Sequence, residues 1–310
     1  MSHLIDILLS TYNGAEYLNE QLTSIAAQDI DEWRLIVRDD GSTDSSVSII
    51  KAFVVAYPDR VQFISEPSVR LGVVASYEYL LSKSRSQYIA FCDQDDVWLP
   101  DKLKILRESI QDLESMNLPE MPILIHSDLR VVNEYLEEVA DSFWKYQKLN
   151  PTKMQTLQRL LVQNCVTGCA LMINRSLLNH VLPIPKDAIM HDWWISLIAV
   201  SKGKVHHINL KTVKYRQYAD NVIGAKKWSF GYIMQGISRN GDLYKKSITK
   251  TRNQAKALLQ SGKLSGEKAE IVSQYVDLYE RDWLDKRMTL IRLGFLKYGF
   301  IRNVAFIFWV

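Results

Sequence analysis

Three short motifs in this 310-residue chain combine acidic, hydroxyl and glycine residues in a way that could do chemistry. They are S-T-Y-N-G at 10–14, R-D-D-G-S-T-D at 38–44 and C-D-Q-D-D at 92–96. The D-x-D unit of the last motif offers hard oxygen ligands for Mg²⁺ or Mn²⁺. Proteins usually bind these ions through one or two carboxylates together with substrate phosphates. The sequence therefore predicts a divalent metal cofactor and a diphosphate substrate.

Turn formation and helix capping are a plainer interpretation of these motifs, because Asp, Ser, Thr and Gly are common just after a strand. This interpretation does not explain five carboxylates in one place, since they would repel one another unless a cation or donor groups offset their charge. The five are Asp39, Asp40, Asp93, Asp95 and Asp96. The chain has no G-x-x-x-x-G-K-[ST] loop, and no G-x-G-x-x-G follows the first strand, which disfavours P-loop and dinucleotide-binding folds.

The elements that must position these motifs are alternating strands and helices. Apolar runs predict strands at 4–11, 33–40, 61–66 and 87–96, and the segments between and after them predict helices at 14–27, 43–57, 71–84 and 100–116. Such alternation is typical of an α/β fold with a parallel sheet and right-handed crossovers. Because the carboxyl ends of parallel strands meet at one edge, we expect the three motifs to lie together where ligands bind.

The second half of the chain changes character. We predict a strand at 122–132, a strand followed by a helix at 167–178, a helix at 191–201, and one or two strands within 204–218. Helices are predicted after 226, with a hairpin turn at 261–266. The 4-3-4 spacing of Val272, Val276, Tyr279 and Trp283 predicts a heptad-like seam, which either packs the hairpin or pairs two subunits in a homodimer.

Composition narrows the setting. Three cysteines cannot form a disulfide framework, the first residues do not look like a signal peptide, and the longest apolar run is seven residues. We therefore expect a cytoplasmic protein. Residues 226–310 contain 16 basic and 7 acidic side chains, whereas residues 1–225 contain 22 basic and 28 acidic ones. A basic tail on an acidic body indicates an anionic surface, either a membrane or a nucleic acid.

The final segment, 286–310, mixes basic residues with large apolar ones, which is typical of helices that lie in a membrane interface. Arg292, Lys297 and Arg302 would share no face of one continuous helix, so Gly294 and Gly299 are expected to divide the segment into short pieces. The alternative is a helix docked on the body or on a second subunit. Because the chain carries no RNA-binding signature, we expect a membrane rather than a nucleic acid partner.

The motifs resemble the pattern of glycosyltransferase family 2 over about residues 1–220. The strings D-Q-D-D-V-W at 93–98, H-S-D at 126–128, T-G-C at 167–169, H-D-W-W at 191–194 and Y-R-Q at 215–217 are most similar to bacterial rhamnosyltransferases of cell-wall and surface polysaccharide synthesis. The resemblance implies the GT-A fold, a Rossmann-like mixed sheet flanked by helices. We expect this catalytic domain at 1–225 and a C-terminal helical region at 226–310.

The resemblance also implies roles for single residues. Nucleotide contacts fall on Thr11 and Asp40 at the base, on Arg70 at the base or a phosphate, and on Asp93 at the ribose or the metal. Asp95 would bind the metal between the phosphates, and Asp96 would meet hydroxyls of the donor sugar.

Asp192 in H-D-W-W would be the catalytic base, although it could also cap its own helix. Trp193 and Trp194 could stack on a sugar, with one of them expected in the core, and Arg216 could contact a phosphate. Tyr218 stands where related sequences often have His. Since a protonated phenol is a poor ligand, a metal contact from this position is in doubt.

The implied activity is an inverting, metal-dependent transfer of L-rhamnose from dTDP-β-L-rhamnose to a hydroxyl of a polyprenyl-linked glycan. The enzyme would be peripheral, at the inner face of the cell membrane. Absence of a Q-x-x-R-W motif favours the addition of a single sugar. One alternative keeps the fold and changes the donor to a UDP-hexose or UDP-N-acetylhexosamine. The other is a non-catalytic nucleotide- or RNA-binding protein.

Overall fold

A computed structural model describes residues 4–66, 69–116, 120–218 and 241–310, with only the backbone described at 241–243. The predicted domain boundary between 225 and 226 lies outside these residues, so the division into two domains stays a prediction.

The strands form one mixed sheet. Its order is β3-β2-β1-β4-β8-β6-β9-β5, and β7 pairs with β6. Strands β1, β2, β3 and β4 run parallel to one another, as predicted. Strand β8 is antiparallel to both β4 and β6. The strands are β1 (Ile5–Thr11), β2 (Trp33–Asp39), β3 (Val61–Ile64), β4 (Tyr88–Cys92), β5 (Val97–Trp98), β6 (Ile123–Val132), β7 (Glu138–Ala140), β8 (Leu171–Asn174) and β9 (Lys204–Arg216).

Helices cover both faces of the sheet and continue to the C-terminus. The α-helices of the described residues are α1 (Ala15–Ala26), α2 (Ser46–Ala56), α3 (Val73–Lys83), α4 (Lys102–Ser115), α5 (Phe143–Tyr146), α6 (Pro151–Met154), α7 (Leu157–Val162), α8 (Arg175–Val181), α9 (His191–Lys202), α10 (Gly241–Gln260), α11 (Gly266–Asp277), α12 (Trp283–Leu293) and α13 (Phe300–Trp309). None of these helices is long and apolar enough to cross a membrane.

Alternating side chains of each strand bury on opposite faces of the sheet. In β1, Ile7 packs with the layer of α1, α2 and α4, whereas Leu8 packs with the layer of α3, α7 and α9. The second layer also takes in buried residues of the C-terminal helices, such as Phe295 and Phe306. Full burial of one such side chain contributes about 1.5–3 kcal/mol. The helices of 241–310 are therefore part of the same hydrophobic core as the sheet.

Two predicted elements end earlier than the sequence pattern indicated. The strand predicted at 87–96 stops at Cys92, because Asp93 to Asp96 turn away before β5 begins. The predicted seam is correct at Val272 and Val276, which are buried within this chain. It fails at Trp283, which is mostly exposed, because α11 ends at Asp277 and the side chain of Asp282 caps a new helix. A homodimer through these helices stays a prediction.

We predict that Gly203→Ala destabilises the fold. Gly203 joins α9 to β9, and a Cβ atom there would lie 1.9 Å from the backbone oxygen of Pro122. Relieving that overlap requires a backbone shift, so the free energy of unfolding should fall by about 1–3 kcal/mol. Thermal denaturation measures the change. The neighbouring exposed substitution Lys202→Ala should stay within about 0.5 kcal/mol of the wild type. Equal stability of the two variants would contradict the prediction.

Candidate active site

The structure brings the three motifs together at one edge of the sheet. The side-chain amide of Gln94 clamps the backbone of Tyr12, accepting from its N–H at 2.8 Å and donating to its oxygen at 3.1 Å. The Asn13 side chain accepts from the N–H of Thr43 at 2.8 Å. A Cβ atom on Gly14 would lie 2.4 Å from Gln94 Oε1, so the close approach of the first and third motifs requires glycine.

Thr11 lies behind this edge. It is buried, and its hydroxyl donates to Asp39 Oδ1 at 2.9 Å. The other oxygen of Asp39 accepts from the N–H groups of Gly41 and Ser42 at 3.0 and 2.8 Å. Thr11 and Asp39 therefore hold the loop after β2, and the hydroxyl of Thr11 does not face the open side.

Asp40 ties the same loop to the segment before α3. It pairs with Arg38 at 2.6 Å and accepts from the N–H groups of Leu71 and Gly72 at 2.6 and 2.8 Å. Although burial alone would raise the pKa of Asp40, these donors lower it below the usual value. Asp40 is therefore an ionised carboxylate that positions the loop carrying Arg70.

Arg70 is exposed, and its guanidinium lies 3.9 Å from the ring centroid of Tyr12. An aromatic face beside a cation, next to a carboxylate, is a suitable platform for a nucleobase. Base contact was predicted for Thr11 and not for its neighbour Tyr12. The sequence signal for Tyr12 was an aromatic residue directly after β1. Only the folded structure shows where that side chain points.

The acidic loop after β4 is an electrostatically unfavourable arrangement. Burial, together with the negative charge of Asp95, raises the pKa of Asp93 to about 6. Asp96 is fully buried, and burial together with both neighbours raises its pKa well above the usual value. One oxygen of Asp96 accepts from the N–H of Arg216 at 3.0 Å, and the other is buried without a hydrogen-bond partner. The burial of Asp96 places it under the loop, not beside hydroxyls of a donor sugar.

A buried lysine, which the sequence analysis missed, lies below this loop. Lys102 is fully buried, its ammonium donates to the backbone oxygen of Cys169, and it lies 3.4 Å from the ring centroid of Trp98. Burial lowers the pKa of Lys102 to about 8, whereas the charges of Asp96 and Asp93 oppose the fall. At neutral pH this cation partly offsets the acidic loop from the inside.

The carboxylates of the acidic loop have the chemistry that a hard divalent cation prefers. Single ligand atoms of Asp93, Asp96 and Cys169 all lie within 4.8 Å of one another. Burial raises the pKa of the Cys169 thiol well above its usual value, so it stays protonated and is unsuited to Mg²⁺ or Mn²⁺. Carboxylates are the preferred ligands of those ions, and the half-buried Asp93 and Asp95 can supply them.

Arg216 supports the acidic loop from beneath. Its buried guanidinium donates to the backbone oxygen of Asp95 at 2.8 Å and to Glu20, and it lies 4.3 Å from the ring centroid of Tyr17. These protein contacts place the guanidinium inside the fold, so a direct contact with a phosphate gains no support.

Tyr218 reaches the same loop from the end of β9. Its hydroxyl donates to Asp95 Oδ2 at 2.7 Å, and burial followed by the charge of Asp95 raises the pKa of the phenol. The phenol therefore stays protonated and orients a candidate metal ligand.

Asp192 lies in the first turn of α9, next to the acidic loop. Its Oδ2 accepts from the N–H of Gly168 at 3.1 Å, and its Oδ1 is buried without a hydrogen-bond partner. Burial raises the pKa of Asp192 to about 7, and the charge of Asp93 contributes to the rise. The N-cap residue of α9 is Met190, and no side chain makes a capping hydrogen bond there. Capping of the helix therefore does not explain why an aspartate stands at 192.

The aromatic residues around Asp192 are mostly structural. Trp194 is fully buried and donates to the backbone oxygen of Val181 at 3.0 Å, so it is the core member of the tryptophan pair. Trp193 is half-buried, and its indole donates to Leu160 at 2.6 Å. His191 stacks on Tyr77 at 3.8 Å between ring centroids, and burial lowers its pKa to about 3. His191 is therefore a neutral packing residue.

Comparison with known proteins places this site in a family. The model of Glycosyl transferase family 2 matches residues 6–182, more than half of the chain, and the chain belongs to that family. This confirms the family predicted from the motifs.

The chain is also similar to individual proteins of other bacteria. The dTDP-rhamnosyl transferase RfbG of Shigella flexneri is 28% identical over 261 residues, which cover 79% of this chain and 83% of that protein. The uncharacterized protein Mb1547 of Mycobacterium bovis is 26% identical over 219 residues, which cover 70% of this chain and 60% of that protein. The chain thus spans less than two thirds of the mycobacterial relative.

Solved structures confirm the predicted GT-A fold. TarS 1–349 of S. aureus in complex with UDP-GlcNAc matches with a TM-score of 0.58 at 17% identity, over 94% of this chain and 80% of that one. The mannosyltransferase PcManGT of Pyrobaculum calidifontis in complex with GDP-Man and Mn²⁺ matches with a TM-score of 0.54 at 16% identity, over 94% of this chain and 73% of that one. The mixed sheet between helices, followed by C-terminal helices, is as predicted.

We predict that Tyr218→Phe weakens Mn²⁺ binding. The substitution removes the donor that orients Asp95, and loss of such a partner usually lowers metal affinity about 10–100-fold. Calorimetric titration with Mn²⁺ in the presence of a nucleoside diphosphate measures the effect. Tyr135→Phe, at a mostly exposed position, is the matched control. Unchanged or tighter binding by the Tyr218 variant would show that the hydroxyl does not support the metal ligand.

Proposed function

We propose that this chain is an inverting, metal-dependent glycosyltransferase that transfers L-rhamnose from dTDP-β-L-rhamnose to a hydroxyl of a polyprenyl-linked glycan. The observation that carries the proposal is the position of Asp192 beside the acidic loop, with a pKa raised to about 7. A carboxylate whose pKa is near neutrality is suited to general-base catalysis. The likeness to the Shigella dTDP-rhamnosyl transferase over 79% of the chain supports the choice of donor.

The nucleotide base would bind at the edge formed by Tyr12, Arg70 and Asp40. Asp40 accepts three hydrogen bonds from the protein, and a carboxylate offers about four acceptor positions. The remaining position would accept the N3–H of thymine or uracil. The ring of Tyr12 would stack on the base once Arg70 moves aside toward the phosphates.

Asp93 and Asp95 would hold the divalent ion at the mouth of the acidic loop, with Asp93 also near the ribose. When bound, the ion supplies positive charge that stabilises the departing diphosphate. Tyr218, Arg216 and Lys102 keep the loop in place.

Asp192 would accept the proton of the acceptor hydroxyl. As that proton moves to Asp192, the acceptor oxygen forms a bond to the anomeric carbon of rhamnose. The bond from that carbon to the diphosphate oxygen breaks on the opposite face, so the anomeric configuration inverts. The N–H of Gly168 fixes one oxygen of Asp192, which leaves Oδ1 to receive the proton. The half-buried Trp193 is the better placed of the two tryptophans to face the acceptor.

The donor and the metal can be tested together by thermal shift. dTDP-rhamnose with Mn²⁺ should stabilise the protein, by about 2.7 kcal/mol at one hundred times the Kd, and EDTA should reduce the effect. Asp93→Asn should lose the stabilisation, whereas the exposed Asp101→Asn should keep it. Stabilisation by UDP-sugars but not by dTDP-rhamnose would show that the donor is a UDP-sugar. Salt-sensitive RNA binding without turnover would favour the non-catalytic alternative.

The base role of Asp192 predicts a defined pH profile. Because the base acts only when deprotonated, kcat should rise with pH through about 7. Asp192→Asn should lower kcat by about 10²–10⁴-fold and leave the Kd for the donor nearly unchanged. Asp187→Asn, at an exposed position on the same approach to α9, should keep wild-type kinetics. Wild-type turnover by the Asp192 variant would remove the residue from the mechanism.

We further propose that the protein works in the cytoplasm at the inner face of the cell membrane, where a polyprenyl-linked acceptor would lie. The excess of basic residues after position 226 supports this location.

A further inference from the structure

Helix α12 presents an apolar face to solvent. Trp283, Leu284, Met288 and Ile291 are each more than half exposed. At about 100° per residue, these four side chains fall within an arc of about 140° on one side of the helix. Thr289 lies on the opposite side of the helix, and Leu290 lies at the edge of the arc next to Trp283; both are buried.

Helix α13 repeats this arrangement. Phe300, Val304 and Phe308 are largely exposed and fall within an arc of about 80°. Its other side packs Ala305 and Phe306 into the core.

Arg287 joins the two exposed faces. Its guanidinium donates to the backbone oxygen of Phe308 at 3.0 Å and to that of Trp283 at 2.9 Å, and it lies 4.2 Å from the Trp283 ring centroid. The two helices therefore form one surface, which we call the C-terminal apolar face. It consists of Trp283, Leu284, Met288, Ile291, Phe300, Val304 and Phe308. Exposed apolar side chains gathered on two linked helices are typical of an interaction site.

Two of the basic residues expected to meet a membrane point into the protein instead. Arg302 is buried and donates to the backbone oxygens of Lys148 and Tyr298 at 2.9 and 3.2 Å. Lys297 lies 5.2 Å from the ring centroid of Phe306. These cations fasten α13 to the body, so the tail is not a basic amphipathic helix of the predicted kind.

Other cations surround the C-terminal apolar face. Lys286 and Arg292 lie on α12 on either side of the apolar arc, Arg287 lies within the arc, and Lys245 lies 5.7 Å from the ring centroid of Trp309 at the end of α13. The nearby acidic groups have partners within the protein, since Asp285 pairs with Arg281 at 2.8 Å and Asp282 caps α12. The rim of the apolar face is therefore positively charged.

We propose that the C-terminal apolar face docks on an anionic lipid bilayer, inserting its aromatic and aliphatic side chains between headgroups while Arg292 and its neighbours contact lipid phosphates. Aromatic residues favour this interfacial zone, and each basic residue adds attraction to anionic lipid. A second copy of the chain is the poorer occupant, because a symmetric contact would bring the same cations face to face.

Docking would also orient the candidate active site. Arg159 in α7 donates to the backbone oxygens of Leu296 and Lys297 at 3.3 and 3.2 Å, and Gln163 accepts from the N–H of Tyr298 at 2.8 Å. The segment from α7 leads directly to Gly168, the donor to Asp192. This part of the inference rests on the proposed function, because the orientation matters only for an acceptor that is linked to a lipid.

Vesicle sedimentation of the full chain tests the docking. Wild-type protein should bind vesicles of phosphatidylcholine with phosphatidylglycerol more tightly than phosphatidylcholine alone. Phe300→Ser/Phe308→Ser should weaken binding about tenfold or more, because it removes inserted apolar surface. The matched control is Val55→Ser/Met116→Ser, at two similarly exposed apolar positions on other helices or their ends, and it should bind as the wild type does.

Two further variants separate the contributions. Arg292→Gln should weaken binding about fivefold, and only to vesicles that contain phosphatidylglycerol. Met288→Ser/Ile291→Ser tests the α12 half of the surface independently of α13, and circular dichroism checks that each variant is folded. Sedimentation of both double variants equal to wild type would overturn the proposal. So would a wild-type dimer that becomes a monomer in these variants.

The inference and the proposed function fail in different ways. Docking variants should keep wild-type dTDP-rhamnose binding and turnover of a water-soluble acceptor, and Asp192→Asn should keep wild-type vesicle binding. Loss of the docking result with intact turnover removes only the docking surface. Vesicle binding without any dTDP-rhamnose binding or transfer removes only the proposed function.

Discussion

The site depends on the electrostatics of one short loop that places three carboxylates in a poorly solvated position. Burial raises the pKa values of Asp93, Asp95 and Asp96, and repulsion from neighbouring carboxylates adds to the rise at Asp93 and Asp96. The loop is held in this form by surrounding groups, with Lys102 below it and Arg216 bound to its backbone. A bound cation would relieve the repulsion. The loop is therefore locally destabilising, and binding of a metal together with a diphosphate would stabilise it.

The carboxylates at this edge of the sheet divide into two kinds. Asp39 and Asp40 accept hydrogen bonds that hold neighbouring loops in place, and the donors to Asp40 lower its pKa, so both residues act first as structural anchors. Asp93 and Asp192 are desolvated and have raised pKa values near the physiological range. Groups of the second kind are suited to change protonation or to bind a cation, and for this reason the chemistry that we propose lies between β4 and α9.

The C-terminal helices belong to the same core as the sheet, so some of their basic side chains face the protein and not its surface. Inside the protein, Arg302 makes backbone hydrogen bonds that attach α13 to the catalytic body. Outside, α12 and α13 present apolar side chains instead. A segment whose composition indicates a basic surface thus has an apolar outer face, because the fold uses part of its charge for attachment.

The sequence by itself determined the α/β class, most strands and helices, the meeting of three motifs at one sheet edge and the family. These follow from local periodicity and from the rule that parallel strands end on the same side. Only the tertiary structure decided that Tyr12 faces the open side while Thr11 is buried, that Lys102 lies under the acidic loop, and that Trp194 and Arg216 are internal. Those outcomes depend on contacts between residues far apart in the chain, such as Arg216 with Asp95, and spacing along the sequence does not encode which distant groups a side chain meets.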